Sequence, residues 1–197
     1  IPEWVDSSML SIIEKKKDVM LLSKFVHIAT APFLRSQLYM SWYQLEKHMD
    51  KLIDKVSNRN FDCIIGIKSG GAIMAPYFAK KMNLPYFTIK LSDKKYNCNK
   101  SSSDMLNMII SRKLDDKYKV CEDITESISG KRVLLVDEII NTGKTTIETI
   151  NYLMNEKKTQ SVYPVCVTVL KKNLKYTFDY EYTMNNIVQV WPWGYEN

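Results

Sequence analysis

Positions 133 to 145 read Val-Leu-Leu-Val-Asp-Glu-Ile-Ile-Asn-Thr-Gly-Lys-Thr, residue types that can hold a sugar and an anion side by side. Asp137 and Glu138 are acceptors when ionised, which suits vicinal hydroxyls or a hydrated hard cation. Thr142, Thr145 and Thr146 supply hydroxyl donors, and Gly143 permits a positive φ or a close backbone approach. If a helix opens there, its first N–H groups point at the same anion. Sugar and phosphate together imply a phosphorylated ribose. Gly143-Lys144-Thr145 also matches the end of a nucleotide P-loop, but that loop needs a glycine five residues before its Gly-Lys, and Glu138 stands there.

A second turn carries related chemistry. Lys68-Ser69-Gly70-Gly71 follows the apolar run 61–67; its glycines let backbone amides close on an anion, and Lys68 adds charge. The same pair of glycines also serves a purely geometric turn.

The elements that must position these residues follow from periodicity. Leu45, Met49, Leu52, Ile53 and Val56 recur at helical spacing from Trp42 to Val56, with Glu46, Lys47, Asp50 and Lys51 on the other face. Strands are expected at 61–67, 84–91, 118–124, 132–136, 161–170 and from 187 to 190, with helices at 72–82 and 146–154. Strand and helix thus alternate from residue 61, the order of an α/β doubly wound, mainly parallel sheet that binds ligands at the carboxyl ends of its strands. Both turns follow strands, so both belong at that edge. The polar, lysine-rich segment 92–116 is expected to include a long loop, with Lys94, Lys95 and Tyr96 as contributors to a site.

The chain has 197 residues, 45% of them hydrophobic, enough for one well-buried domain with additions. Its net charge of +6 favours polyanionic small molecules, while the scattered basic residues and the lack of an Arg-rich tract argue against nucleic acid as a partner. The four cysteines form no Cys-x-x-Cys pair and lie far in sequence from His27 and His48, which argues against a zinc site. Cys63 and Cys166 sit in apolar runs as buried thiols, which fits a reducing compartment. The apolar stretch 19–34 is interrupted by Lys24, His27 and Pro32, so no membrane span and a cytoplasmic location are expected.

The 133–146 stretch closely resembles the PRPP-binding motif of type I phosphoribosyltransferases: a hydrophobic strand, two acidic residues and a Thr-Gly-x-Thr phosphate loop. The resemblance covers about residues 41–197. It is greatest to the 6-oxopurine (xanthine-guanine and hypoxanthine-guanine) enzymes, through Ser41-Trp42, Ile64-Ile65-Gly66-Ile67 before Gly70-Gly71, and Glu138-Ile139-Ile140 before Thr142-Gly143-Lys144-Thr145. It implies the type I fold, with a small hood from the terminal segments, a catalytic domain at 41–197 with a mobile loop near 92–116, and a helical extension at 1–40.

The implied activity is Mg²⁺-dependent transfer of the 5-phosphoribosyl group of PRPP to a nucleobase, releasing pyrophosphate, by a homodimer or homotetramer. The resemblance puts Asp137 and Glu138 on the ribose and the metal, Ile140, Asn141, Thr142, Gly143, Lys144, Thr145 and Thr146 around the 5′-phosphate, and Lys68, Ser69, Gly70 and Gly71 on the pyrophosphate. It puts Lys172, or else Lys171, on the exocyclic oxygen of the base, with Val188, Gln189, Trp191 and Trp193 about the base pocket. Trp191 and Trp193 serve equally as core residues. Two positions depart from the family pattern: Ser69 stands where an Arg or Lys often precedes the glycines, and Asn141 where many 6-oxopurine enzymes carry an aspartate. An amide is no carboxylate base, so another base as acceptor, or a non-catalytic PRPP- or nucleotide-sensing regulator, stays open.

Overall fold

Successive side chains of a strand point to opposite faces, and in β2 (Cys63–Ile67) all five residues are buried, so the strand must be covered on both sides. A computed structural model of the chain describes residues 1–11, 13–14, 37–93, 118–170, 179–184 and 188–194. Around β2 lie β3 (Tyr86–Asp93), β4 (Tyr118–Glu122), β5 (Arg132–Ile140), β6 (Ser161–Leu170) and β7 (Asp179–Met184). They form a six-stranded sheet in the order β4-β3-β2-β5-β6-β7, parallel except for the antiparallel β3–β4 pair. A separate two-stranded parallel sheet joins β1 (Gln37–Tyr39) to β8 (Val188–Val190), bringing the two terminal segments together as the expected hood.

The helices are α1 (Trp42–Val56), α2 (Gly70–Met82) and α3 (Lys144–Asn155). A capping box starts α1: the Gln44 N–H donates to Ser41 Oγ at 3.2 Å, and the Ser41 N–H donates to Gln44 Oε1 at 2.8 Å. Its buried residues Trp42, Leu45, Met49, Leu52 and Val56 join α2 and the alternate strand residues Ile64, Leu134 and Val136 in the larger core. The opposite strand faces, Cys63, Ile65, Ile67, Val133 and Leu135, pack with Leu153 of α3, Ile124 and Ile128 in a second core. Val5, Met9 and Ile13 lie in the larger core with Trp4 against it, so this part of the 1–40 segment packs on the same body as α1 and α2.

Several boundaries differ from expectation. Helix α2 begins at Gly70 and α3 at Lys144, each two residues early, and β5 runs on to Ile140 because the sequence apolar after the acidic pair continues to pair with β6. Strands β1 and β7 were not anticipated. Trp191 and Trp193 are 8% and 1% exposed, stacked on each other at 5.3 Å, and Trp193 lies 6.1 Å from Trp42, which gives them the core role. Cys63 and Cys166 are buried free thiols, as expected. Among the described residues no helix is long and apolar enough to cross a membrane.

Candidate active site

The chain leaves β2 through α2 to β3 on one side, and leaves β5 through α3 to β6 on the other, so the strand order reverses between β2 and β5. That reversal opens a crevice at the carboxyl ends of the two strands. A cavity of about 250 Å³ occupies it, lined by residues 67–69 and 137–146. The two turns singled out by the sequence therefore face one space.

Strand β5 overruns its neighbour. Its pairing with β2 stops at Val136, opposite Gly66, while pairing with β6 continues through Asp137, Ile139 and Ile140. Asp137 and Glu138 thus leave the sheet on the β2 side just where the crevice starts. As adjacent strand residues they point to opposite faces. The Asp137 carboxylate accepts the Glu138 N–H at 2.9 Å. The Glu138 carboxyl lies against Gly70: an ideal Cβ at Gly70 would be 2.1 Å from Glu138 Cδ. Glu138 therefore touches the second turn, a contact not expected from the sequence, which placed it on the ribose and the metal.

Residues 141–143 form the bend between β5 and α3, shorter than the 141–146 loop expected, and Lys144, Thr145 and Thr146 belong to the first helical turn. Gly143 has φ 77°, the left-handed region that glycine tolerates, and as N-cap residue it has no side chain to occupy the helix's first amides. Asn141, Thr142 and Lys144 are exposed and Thr146 is buried. The Lys144 N–H reaches Thr142 Oγ1 at 3.4 Å, and Thr149 Oγ1 donates to the Thr145 carbonyl at 2.7 Å. Helix-start amides, a row of hydroxyls and one lysine give this bend the chemistry that can hold an anion.

Helix α2 begins in the same way, since Ser69 caps it without a side-chain hydrogen bond; the Lys68–Ser69 peptide bond is cis. Gly66 and Gly71 are required by close approach: a Cβ on Gly66 would lie 2.5 Å from the Gly71 oxygen, and one on Gly71 2.1 Å from the Val136 oxygen. The Lys68 N–H is fixed on the Ile89 carbonyl at 2.8 Å. Its ammonium pairs with Glu122 of β4, which also faces Lys90 at 3.5 Å. Hydrogen bonding from Lys68 outweighs burial and holds the Glu122 carboxyl below its ordinary range. Neither Glu122 nor Lys90 was legible as a site residue, because the partners lie on different strands and no local spacing marks them.

Beneath the acidic pair, Cys166 sits opposite Asp137 on β6, and burial first, then the negative Asp137, push its thiol far up, so it is no nucleophile. Val188 and Gln189 take part in β8. Lys171, Lys172, Lys94, Lys95 and Tyr96 lie outside the described residues. Among the described residues no group of three or more His, Cys, Asp or Glu side chains gathers to cage a metal. Two carboxylates beside the 141–146 bend fit Mg²⁺, which keeps several waters and takes its remaining ligands from a phosphorylated substrate.

Comparison with known proteins agrees with this arrangement. The family described as "Phosphoribosyl transferase domain" matches residues 39–197. An orotate phosphoribosyltransferase of Sulfurisphaera tokodaii is 25% identical over 150 residues, covering 74% of this chain and 65% of that protein. An adenine phosphoribosyltransferase of Campylobacter jejuni is 29% identical over 134 residues, 66% of each chain. The chain thus spans just under two thirds of the length of these two relatives. The crystal structure of a purine phosphoribosyltransferase from Pyrococcus horikoshii shares the fold with a TM-score of 0.62 at 21% identity, over 80% of this chain and 94% of that one.

Proposed function

Because the chain belongs to the phosphoribosyl transferase domain family, we propose that it transfers the 5-phosphoribosyl group of PRPP to a nucleobase and releases pyrophosphate. The observation that carries this is one cavity of about 250 Å³ lined by Lys68 and Ser69 of the first turn, the acidic pair and the 141–146 bend. A phosphorylated sugar bearing a diphosphate needs an anion cradle at each end and acceptors for its hydroxyls between them. The 141–146 bend takes the 5′-phosphate on the α3 amides and threonine hydroxyls, Asp137 and Glu138 accept from the ribose hydroxyls, and the 68–71 turn takes the diphosphate.

The reaction forms a bond from a ring nitrogen to C1 of the ribose while the bond from C1 to the diphosphate oxygen breaks, and positive charge develops on the sugar. The chain's residues act by holding the two reactants in line and by placing carboxylates near the developing cation. Asp137 and Glu138 would hold Mg²⁺ through water or the ribose hydroxyls, and the ion would supply positive charge to offset that of the departing diphosphate. The negative diphosphate leaves toward the N-terminus of α2 and Lys68.

The acceptor we infer is a purine, with a 6-oxopurine first. The likeness of Ser41-Trp42 and of the two turns to the 6-oxopurine enzymes supports this, as does the purine activity named for the Pyrococcus protein. Lys172, or Lys171, with Val188 and Gln189 would read the base. The adenine and orotate activities named for the sequence relatives define the other acceptors to test. Asn141 favours one further reading, a non-catalytic PRPP- or nucleotide-sensing regulator on the same fold.

The test incubates the protein with PRPP, Mg²⁺ and, separately, hypoxanthine, guanine, xanthine, adenine, orotate and uracil, with Asp137→Asn/Glu138→Gln as control. Nucleotide and pyrophosphate formed together, and lost in the control, establish the transferase and name its base. Tight PRPP or nucleotide binding without turnover of any base would replace it with the sensor.

A further inference from the structure

The 68–71 turn presents one side-chain cation, Lys68, and in this structure that cation is paired with a carboxylate outside the cavity lining. Lys68 lines the cavity by its position at the end of β2, yet its ammonium is bound by Glu122, a residue of the edge strand β4 that does not line the cavity. The backbone of Lys68 cannot follow, because its N–H is held by the Ile89 carbonyl at 2.8 Å. Only the side chain is free to choose between Glu122 and an anion in the crevice.

Glu122 has a second cation at hand. Lys90 of β3, its direct partner across the β3–β4 ladder, places its ammonium 3.5 Å from the other carboxylate oxygen. When Lys68 turns to a ligand, Glu122 keeps Lys90, so the exchange leaves no unpaired carboxylate behind. Both acid and lysine are partly exposed, at 47% and 20%, so the pair is weak enough to be exchanged.

We infer that Glu122 is a positioning residue of the diphosphate subsite: it holds Lys68 in reserve, competes with the diphosphate group for it, and thereby sets the affinity of the 68–71 turn for that group. This rests on the phosphoribosyltransferase reading, which places diphosphate at this turn. Glu122 touches no reactant and acts through Lys68 alone. Its consequence is weaker retention of the diphosphate product than the turn's own charge would give.

The experiment titrates inorganic diphosphate with Mg²⁺ into the full chain by calorimetry, for the wild type, Glu122→Gln, Lys68→Met and the double variant, with a PRPP turnover assay on the same preparations. Glu122→Gln is expected to tighten diphosphate binding about two- to fivefold, the scale of one exposed ion pair. Lys68→Met weakens binding, and in that background the Glu122 substitution has no further effect; a merely structural Glu122 would not give this cancellation. All four proteins should keep one melting temperature within a few degrees, since the altered side chains are partly exposed. Unchanged or weaker binding in Glu122→Gln, or tightening that persists without Lys68, overturns the inference while the turnover assay still stands for the transferase. Loss of both diphosphate binding and turnover in the wild type brings down both readings.

Discussion

Gly71 and Val136 are in backbone contact: a Cβ on Gly71 would stand 2.1 Å from the Val136 oxygen. Helix α2 rests directly on strand β5 at this point, and a methyl group requires the two to separate. Overpacking of this kind costs about 1–3 kcal/mol. Gly71→Ala is expected to lower the melting temperature by several degrees in a circular dichroism melt; an unchanged melt would show that helix and strand part freely.

Gly70→Ala should behave differently, although its Cβ would also be 2.1 Å from the nearest atom. The neighbour is the Glu138 carboxyl, the far end of a flexible side chain, so the chain stays folded and the acid moves. Stability should change by only about 0.5 kcal/mol, while kcat/KM for PRPP falls by about tenfold or more, a loss near 1.4 kcal/mol of transition-state stabilisation. Melting and steady-state kinetics on one preparation separate the two effects.

Arg132 clamps the start of β5 to the residue before β2. Its backbone N–H and Nε donate to Asp62 Oδ2 at 2.8 and 3.0 Å, and Nη2 donates to Oδ1 at 2.8 Å. These hydrogen bonds, the side-chain ones first, hold the Asp62 carboxyl well below its ordinary 3.8. A carboxylate depressed in the folded state contributes its full stability above its unfolded pKa, and loses it as pH falls from there through the folded value. In acid unfolding followed by fluorescence, Asp62→Asn should therefore lower stability near neutrality and show a shallower loss below about pH 4 than the wild type. Parallel curves would remove Asp62 from the acid limb.

Asn141→Asp puts a carboxylate on the bend that leads from the acidic pair into α3. If the acceptor is a 6-oxopurine whose ring proton must be taken up, a positioned general base raises turnover on the order of 10²-fold. The expected result is that rise, with a new acid limb in the pH profile. No rise above an existing turnover would mean that the proton leaves by water, whereas no turnover in either protein, with tight nucleotide binding, would favour the sensor.

Trp193 is 1% exposed among Trp42 and Trp191. Truncating a buried tryptophan to alanine costs about 3–5 kcal/mol. Trp193→Ala should show that loss in denaturant unfolding with an unaltered KM for the base in the folded fraction. A raised KM at unchanged stability would return the residue to the base pocket.

Much of this was legible because it depends on local pattern. The apolar run before Asp137 and the run before Lys68 are strands buried on both faces, so their period and turn residues marked both elements and their functional ends. What escaped depends on distant partners. Strand β7 begins Asp179-Tyr180-Glu181, a pattern that reads as surface; Glu181 can turn inward only because Lys55, at 2.6 Å, and His48 and Lys51 on α1 meet it. The Lys68–Glu122 pair likewise joins residues 54 positions apart. The extension of β5 to Ile140 was hidden because the acidic pair looks like the end of a strand, while its hydrogen bonds continue on the β6 side alone.

The two turns at the crevice ride on unequal supports. Helix α2 buries every residue from Gly70 to Phe78, whereas α3 buries only Thr146, Thr149 and Leu153. Local opening follows the amount of buried contact, so the amides of α3 should exchange with deuterium through smaller fluctuations than those of α2. A substrate spanning both turns ties the looser helix to the firmer one, and part of its binding energy is spent in that tether. On the proposed reading, the half of the crevice that takes the 5′-phosphate is then ordered by the ligand it receives.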